Sequence, residues 1–117
     1  MISLKPAVFL ACVSLFGSIP TGRAQSPRRI EIIAHRFTFS PDTITLKKGE
    51  PVVLVLRSDD VTHGLKVPEL KIKTEIKKGK DTEIPITPTE TGHFVGKCAH
   101  FCGKGHGSMT LQIDVVP

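Results

Sequence analysis

The chain has 117 residues, of which 39% are apolar, and its 16 Lys and Arg against 11 Asp and Glu give a net charge of +5. This length holds one small domain and excludes a multidomain organisation. The charge is only mildly basic and the chain has no Trp or Tyr. It therefore lacks the clustered basic and aromatic residues that proteins use to bind nucleic acids.

The first residues have the order of a secretory signal. Lys5 precedes an uncharged, mostly apolar run at 6–19, and a Gly-Arg-Ala cleavage motif follows at 22–24. The run is too short to span a bilayer comfortably. We predict a signal peptide at 1–24 and an exported domain at 25–117, with an uncleaved membrane anchor as the alternative. Loss of the two basic residues of the signal would lower the net charge to +3.

The rest of the chain alternates apolar and polar residues between turn signals, which indicates short strands and no helix of useful length. In chain order, we predict strands at 30–39 (with a bulge or bend near 33–36), 43–47, 52–56, 61–68, 70–77, 82–87, 93–97 and 109–115.

For three of these strands, the residue pattern also indicates a position within the sheet. Strand 52–56 is apolar on both parities, which favours a central position covered on both faces. Strand 70–77 alternates apolar residues with lysines, which indicates an edge strand with a lysine-rich solvent face. Pro85 places strand 82–87 near another edge. Seven or eight short strands predict an all-β fold, a small β-sandwich.

Soft and borderline metal donors are concentrated in the loop before the last strand. Cys98, Cys102, His106 and Met109 supply two thiols, an imidazole and a thioether, and three glycines are interleaved with them. These donors suit copper and not calcium or magnesium. The glycines allow the backbone to fold tightly around one point. The loop is therefore predicted to bind a metal, most simply copper.

The cysteines also allow a disulfide. Because Cys12 lies in the predicted signal, Cys98 and Cys102 are the only cysteines of the exported domain, and exported proteins often form disulfides. A bridge across so short a loop would stabilise the fold little, however. It would also leave the ordered His and Met unexplained, so a metal site is the favoured interpretation.

The histidines outside the loop differ in what they indicate. His63 lies between turn signals in an alternating segment and is the candidate for a further ligand that ties the loop to the sandwich. The backbone carbonyl of His100, between the two cysteines, is a further candidate donor. His93 is not expected to be a ligand, and His35 is expected to be exposed or to lie at the bulge of the first strand.

The loop resembles a known motif. Cys98-x-x-x-Cys102-x-x-x-His106-x-x-Met109 is similar to the binuclear CuA motif of cytochrome c oxidase subunit II and nitrous oxide reductase. Segments 60–68 and 92–98 resemble the family's first histidine segment and the strand that enters its loop. The resemblance covers 37–116 and implies a Greek-key cupredoxin sandwich.

The resemblance also implies a ligand set. Two copper ions would be bridged by Cys98 and Cys102, one completed by His63 and Met109 and the other by His106 and the carbonyl of His100. Such a centre carries electrons and is not an enzyme. The implied partner is a c-type cytochrome or a terminal oxidase or reductase.

The chain departs from the oxidase subunit because it lacks that subunit's two membrane helices and tryptophan-rich segment. We therefore expect a monomeric, periplasmic or otherwise extracytoplasmic electron carrier, without stable membrane insertion once the signal is cleaved. A copper-delivery protein for an oxidase and a mononuclear cupredoxin with one copper are the alternatives. The lysine-rich stretch at 71–80 is either a docking face for an acidic redox partner or simply a solvated strand edge.

Overall fold

The computed structural model describes residue 17, residues 26–101 and residues 103–117. The predicted signal at 1–24 (apart from residue 17) and Cys102 lie outside the described residues. The described part forms nine strands and two short 3-10 turns, Pro68–Leu70 and His106–Ser108, and contains no α-helix. The strands are β1 (Arg28–His35), β2 (Thr38–Ser40), β3 (Thr43–Lys47), β4 (Val52–Ser58), β5 (His63–Val67), β6 (Ile72–Ile76), β7 (Thr82–Ile86), β8 (Gly92–Lys97) and β9 (Thr110–Val116).

The strands form two sheets that face each other across one core. The order is β2-β1-β4-β7 in the four-stranded sheet and β3-β9-β8-β5-β6 in the five-stranded sheet. The β1–β4 and β3–β9 pairs are parallel and the others antiparallel. Alternate apolar residues of both sheets are buried between them, so the predicted all-β sandwich is confirmed. The largest fully buried side chains of the core include Phe39, Ile32, Leu46, Leu54, Leu56, Leu65, Ile76, Met109, Leu111 and Ile113.

The first predicted strand is wrong in one respect. Residues 30–39 do not form one strand with a bulge; β1 and β2 form an antiparallel hairpin that turns at Arg36 and Phe37. The register pairs Ile33 with Ser40 and His35 with Thr38. A bulge and a tight reversal both change the parity of the inward residues, and only strand pairing distinguishes them. This hairpin is why the structure has more strands than predicted.

The predicted positions within the sheets are confirmed. β4 lies between β1 and β7, and its Leu54, Val55 and Leu56 are buried although they alternate between the two faces of the sheet. β6 and β7 each lie at one edge of their sheet, as the lysine alternation and Pro85 indicate, and β3 and β2 form the other two edges. Edge positions tolerate proline because one row of backbone groups faces solvent there.

A histidine pairs with a carboxylate on the outer face of the five-stranded sheet. His93 on β8 is directly opposite Asp114 on β9. Its Nδ1 bonds the Asp114 carboxylate, and its Nε2 lies 2.7 Å from Oε1 of Gln112. Because both ring nitrogens face oxygen acceptors, the protonated imidazolium is favoured. The bond to Asp114 and then that to Gln112 raise the pKa of His93 above its usual value.

This pairing predicts a pH dependence. A raised pKa in the folded state means that the pair stabilises the fold below the ordinary histidine pKa, and this stability is lost as pH rises through the raised value. Asp114→Asn should lower the pKa of His93, measured by NMR titration of the ring. Glu69→Gln, which removes an exposed carboxylate from the Pro68–Leu70 turn, is the control and should leave it unchanged. An unshifted His93 pKa in Asp114→Asn would contradict the assignment.

Candidate metal centre

The loop between β8 and β9 is closed at its base by a backbone hydrogen bond. The Cys98 N–H donates to the carbonyl of Met109 at 3.1 Å, immediately beyond the last residue of β8 and before the first of β9. The two residues that begin and end the predicted ligand loop are therefore adjacent. Both are buried: Cys98 is 5% exposed and Met109 is fully enclosed. These two side chains are thus shielded from water.

His63 approaches the same cysteine from the neighbouring strand. It is the first residue of β5, is fully buried, and has its Nδ1 4.0 Å from the Cys98 sulfur. Its other ring nitrogen, Nε2, lies 2.6 Å from Oδ1 of Asp60. When Nε2–H donates to this carboxylate, the Nδ1 lone pair faces the thiol. A hydrogen bond that fixes the tautomer and the ring orientation in this way is characteristic of metal-binding histidines.

Asp60 is held in its charged form by three donors. Partial burial by itself would raise the pKa of Asp60, but the Arg36 backbone N–H, the His63 ring and the Val61 backbone N–H all stabilise the carboxylate. Together they hold the pKa of Asp60 well below its usual range. The carboxylate therefore stays ionised and remains a hydrogen-bond acceptor for the buried ring.

His100 faces the centre through its backbone. Its carbonyl oxygen accepts a hydrogen bond from the Cys98 thiol at 3.2 Å, while its side chain is exposed and its Nδ1 lies 3.1 Å from the Phe101 carbonyl. The carbonyl oxygen of His100, which the sequence suggests as a metal ligand, therefore lies next to the Cys98 thiol.

The other predicted ligands are placed less completely. His106 begins the second 3-10 turn, is half-buried, and its ring centroid lies 5.8 Å from that of Phe101. Cys102 lies outside the described residues. Within residues 26–101 and 103–117, no three His, Cys, Asp or Glu side chains converge on one point. Of the predicted ligands, the structure brings together His63, Cys98 and the His100 carbonyl, and it places Met109 at the base of the loop.

An aromatic ring under the loop was missed by the sequence interpretation. Phe37, in the β1–β2 turn, packs directly against Gly105 and Gly103, so that a Cβ on Gly105 would lie 2.4 Å from the ring. Gly103 also has a φ of +137°, which other residues rarely adopt. These glycines thus allow close approach of the loop to the facing sheet. Their density was noticed in the sequence, but nothing there identifies Phe37 as the contact.

Gly64 has a similar function on the other side of the loop. A Cβ at this position, next to His63 on β5, would lie 3.1 Å from the backbone nitrogen of His100 and 3.2 Å from the carbonyl carbon of Ala99. The backbone of the loop therefore lies directly over β5. This close approach places the His100 carbonyl next to the end of β8.

The remaining histidines have partners elsewhere. His35 Nε2 lies 3.0 Å from the Thr38 hydroxyl across the β1–β2 hairpin, and the ring is half-buried. His93 is engaged by Asp114 and Gln112, as described above.

The donors fit copper better than other metals. A buried thiol, an imidazole nitrogen, a carbonyl oxygen and a buried thioether are mixed soft and borderline ligands, and such sets select copper rather than oxygen-preferring cations. Asp60 fits as the partner that orients the histidine, since it already accepts from the nitrogen that faces away from the thiol.

Membrane-spanning helices are absent from the described residues. The only helical segments there are the two three-residue 3-10 turns, and neither could cross a bilayer.

Comparison with known proteins identifies a matching family and a relative. A family model described as a cupredoxin-like domain matches residues 7–111. A probable cytochrome c oxidase subunit 2 from Streptomyces avermitilis is 38% identical over 74 residues, which are 63% of this chain and 23% of that protein. The chain thus spans about a quarter of the length of this relative.

Two solved structures share the fold. The periplasmic domain of subunit II of cytochrome oxidase from Bradyrhizobium japonicum superposes with a TM-score of 0.71 at 19% identity, over 76% of this chain and 83% of that one. Auracyanin A, a blue copper protein from Chloroflexus aurantiacus, superposes with a TM-score of 0.64 at 12% identity, over 78% of this chain and all of that one. At these identities the likeness establishes the fold.

The contact between Gly105 and Phe37 can be tested directly. Gly105→Ala should destabilise the protein by about 1–3 kcal/mol, because the added methyl group overlaps the ring and must displace it or the loop. Gly107→Ala is the matched control, since a Cβ there meets nothing within 4 Å. Urea unfolding measures both. In a Phe37→Ala background the cost of Gly105→Ala should fall, and an unchanged cost would refute the contact.

The role of Asp60 predicts a loss of metal affinity. Asp60→Asn should weaken copper binding roughly 10- to 100-fold, because the charged acceptor that orients His63 is removed. Competition with a copper chelator measures the affinity. Asp59→Asn is the control, because it makes the same chemical change at the adjacent exposed residue. Equal affinities of the two variants would show that the carboxylate does not support the ring.

Proposed function

The chain belongs to the cupredoxin-like domain family, and from this premise we propose that it is a copper-binding electron carrier that works outside the cytoplasm. The observation that supports this most strongly is the buried pair formed by His63 and Cys98, with a ring nitrogen of His63 4.0 Å from the Cys98 sulfur.

We further propose a binuclear centre. Cys98 and Cys102 would bridge two coppers, with His63 and Met109 completing one and His106 and the carbonyl of His100 the other. What supports this is the presence of both thiols in one short loop, since a mononuclear blue site needs only one. The buried positions of Cys98, His63 and Met109 and the thiol-facing carbonyl of His100 are in keeping with it.

Bound copper would supply one-electron chemistry that no protein side chain at this site offers. The residues of the chain would keep the site rigid and dry. Asp60 fixes the His63 ring, and the Cys98–Met109 hydrogen bond closes the loop. Phe37 packs against the glycines of the loop. A rigid ligand set favours rapid electron transfer, because the ligands move little when the charge changes. The proposed role is therefore electron transfer, which requires no bound substrate.

Location and partner are proposed on the same basis. The likeness to a probable cytochrome c oxidase subunit 2 and to a periplasmic domain of such a subunit supports an extracytoplasmic position. It also supports a redox partner such as a c-type cytochrome or a terminal oxidase or reductase. The predicted signal peptide at 1–24 would account for export of the domain at 25–117. We propose that the exported domain is a monomer.

A spectrum of the copper-loaded protein tests the binuclear centre. We expect electron paramagnetic resonance to show hyperfine splitting from one unpaired electron shared equally by two coppers, together with thiolate-to-copper absorption in the visible range. Splitting from a single copper would refute the binuclear proposal and favour a mononuclear site. Weakly held, readily exchanged copper without a stable mixed-valence form would instead favour copper delivery.

Replacement of the second thiol separates these outcomes further. Cys102→Ser should abolish the shared-electron spectrum while Cys98 retains one copper, because only one bridging sulfur would remain. Lys104→Gln, at an exposed residue of the same loop, is the control and should keep the wild-type spectrum. A binuclear spectrum that survives in Cys102→Ser would refute the bridging role of that residue.

A further inference from the structure

Three lysines lie side by side on the outer face of the five-stranded sheet. The register places Lys66 of β5 directly opposite Lys73 of β6 on one side and Lys97 of β8 on the other. All three side chains are exposed and point away from the core, because their sequence neighbours Leu65, Val67 and Ile72 are buried. We call Lys66, Lys73 and Lys97 the lysine row.

The lysine row is unfavourable for the isolated domain. Side chains at directly opposite positions have Cβ atoms about 4.5–5.5 Å apart, and like charges there are destabilising. In the described part of the chain, no carboxylate forms an ion pair with any lysine of the row. Glu75, on the same face of β6, lies 3.9 Å from Lys77. The fold alone does not require three adjacent cations.

On the opposite face of the protein, the cations are paired with carboxylates. On the outer face of the four-stranded sheet, Arg57 bonds both Glu31 and Asp81 at 2.7 Å, and Arg29 pairs with Glu83. There Arg57 has carboxylates on the neighbouring strand and in the turn before β7, and Arg29 reaches across β4 to a carboxylate on β7. The contrast between the two faces indicates that the positive charge of the lysine row is left available for another molecule.

The lysine row also borders the candidate metal centre. Lys97 immediately precedes Cys98, and Gly64, the other outward residue of β5, is covered by the backbone of Ala99 and His100. A depression of about 290 Å³ between the loop and β6 is lined by Lys73, Thr74, Glu75, Gly64, Ala99 and His100. A molecule bound to the row would therefore contact the strand that ends at Cys98.

An apolar residue lies on the same surface. Val95, two residues before Lys97 on the outward side of β8, is 36% exposed. Interfaces between proteins combine an apolar centre with a charged rim, and complementary charge accelerates the encounter of the partners. A row of three lysines is too small for a nucleic-acid site. One valine is also too little apolar surface for insertion into a membrane.

We propose that the lysine row, with Val95, is the docking surface for a carboxylate-rich face of a partner protein. The partner would be steered by charge and would dock against the end of β8, next to Cys98. That this partner exchanges electrons rests on the proposed copper function, whereas the docking itself depends only on charge and placement. The lysine row thus restricts the partner to proteins with an acidic docking face.

A glutamate-rich peptide serves as the probe for such an acidic face. Titrated into the isotope-labelled protein, it should shift the NMR signals of β5, β6 and β8, and the shifts should weaken above about 0.1 M salt, where the Debye length is about 10 Å. Lys66→Gln combined with Lys97→Gln should weaken binding about tenfold or more, because two adjacent cations are lost.

The control changes net charge by the same amount elsewhere. Lys47→Gln combined with Lys48→Gln removes two exposed lysines at the opposite end of the five-stranded sheet. It should change the affinity for the peptide by no more than about twofold, since charges beyond the contact are screened. An equal loss in both double variants would overturn the proposal, as it would mean that net charge alone attracts the peptide. Shifts that map away from β5, β6 and β8 would overturn it too.

A second measurement does not depend on the probe. Lys66→Glu places an acid between Lys73 and Lys97 and should raise the midpoint of thermal unfolding while it abolishes peptide binding. Opposite effects on stability and on binding are the signature of a charge kept for a partner. A lowered midpoint or retained binding would contradict the proposal. So would tighter, row-dependent binding to phosphatidylglycerol vesicles or to double-stranded DNA.

The test also separates this proposal from the copper function. The titration is carried out on metal-free and on copper-loaded protein. Peptide binding to the row without a copper spectrum would support docking and refute electron transfer, whereas a copper spectrum without peptide binding would refute docking alone.

Discussion

The contact between His63 and Cys98 is the constraint on which the rest of the site depends. The two residues are 35 positions apart in the chain, and their side chains approach to 4.0 Å because β5 and β8 are neighbours in one sheet. Burying an imidazole and a thiol costs free energy unless each has a partner. Asp60 partners the ring from the nitrogen that faces away from the thiol, and the His100 carbonyl accepts from the thiol. Each of the two buried groups therefore has a polar partner in addition to the other.

The loop is held in place from two directions. One side lies over β5 at Gly64, and the other rests on Phe37, which comes from the hairpin of the facing sheet. The loop thus joins the two sheets at one end of the sandwich. In both places the contact is made possible by the absence of a side chain on the glycine. A short loop with several glycines would otherwise have high conformational entropy, and these contacts restrict it.

The two outer faces of the sandwich differ in how their charges are balanced. Arg57 and Arg29 on the four-stranded sheet are paired with acids of the same face, whereas Lys66, Lys73 and Lys97 on the five-stranded sheet face one another. Unbalanced charge lowers the stability of a domain but increases the rate at which an oppositely charged partner is captured. The unbalanced face is the one next to the candidate metal centre.

The sequence by itself determined the all-β class, the central position of β4, two of the four edge strands (β6 and β7) and the candidate copper donors, because alternation, proline placement and donor chemistry are local properties. It did not determine whether residues 30–39 bend or reverse, since both change the parity of the inward side chains. It also could not identify Phe37 as the support of the loop, or the alignment of Lys66 with Lys73 and Lys97. Those features depend on which strands pair and in what register, and pairing between distant segments is decided only when the two sheets close around their common core.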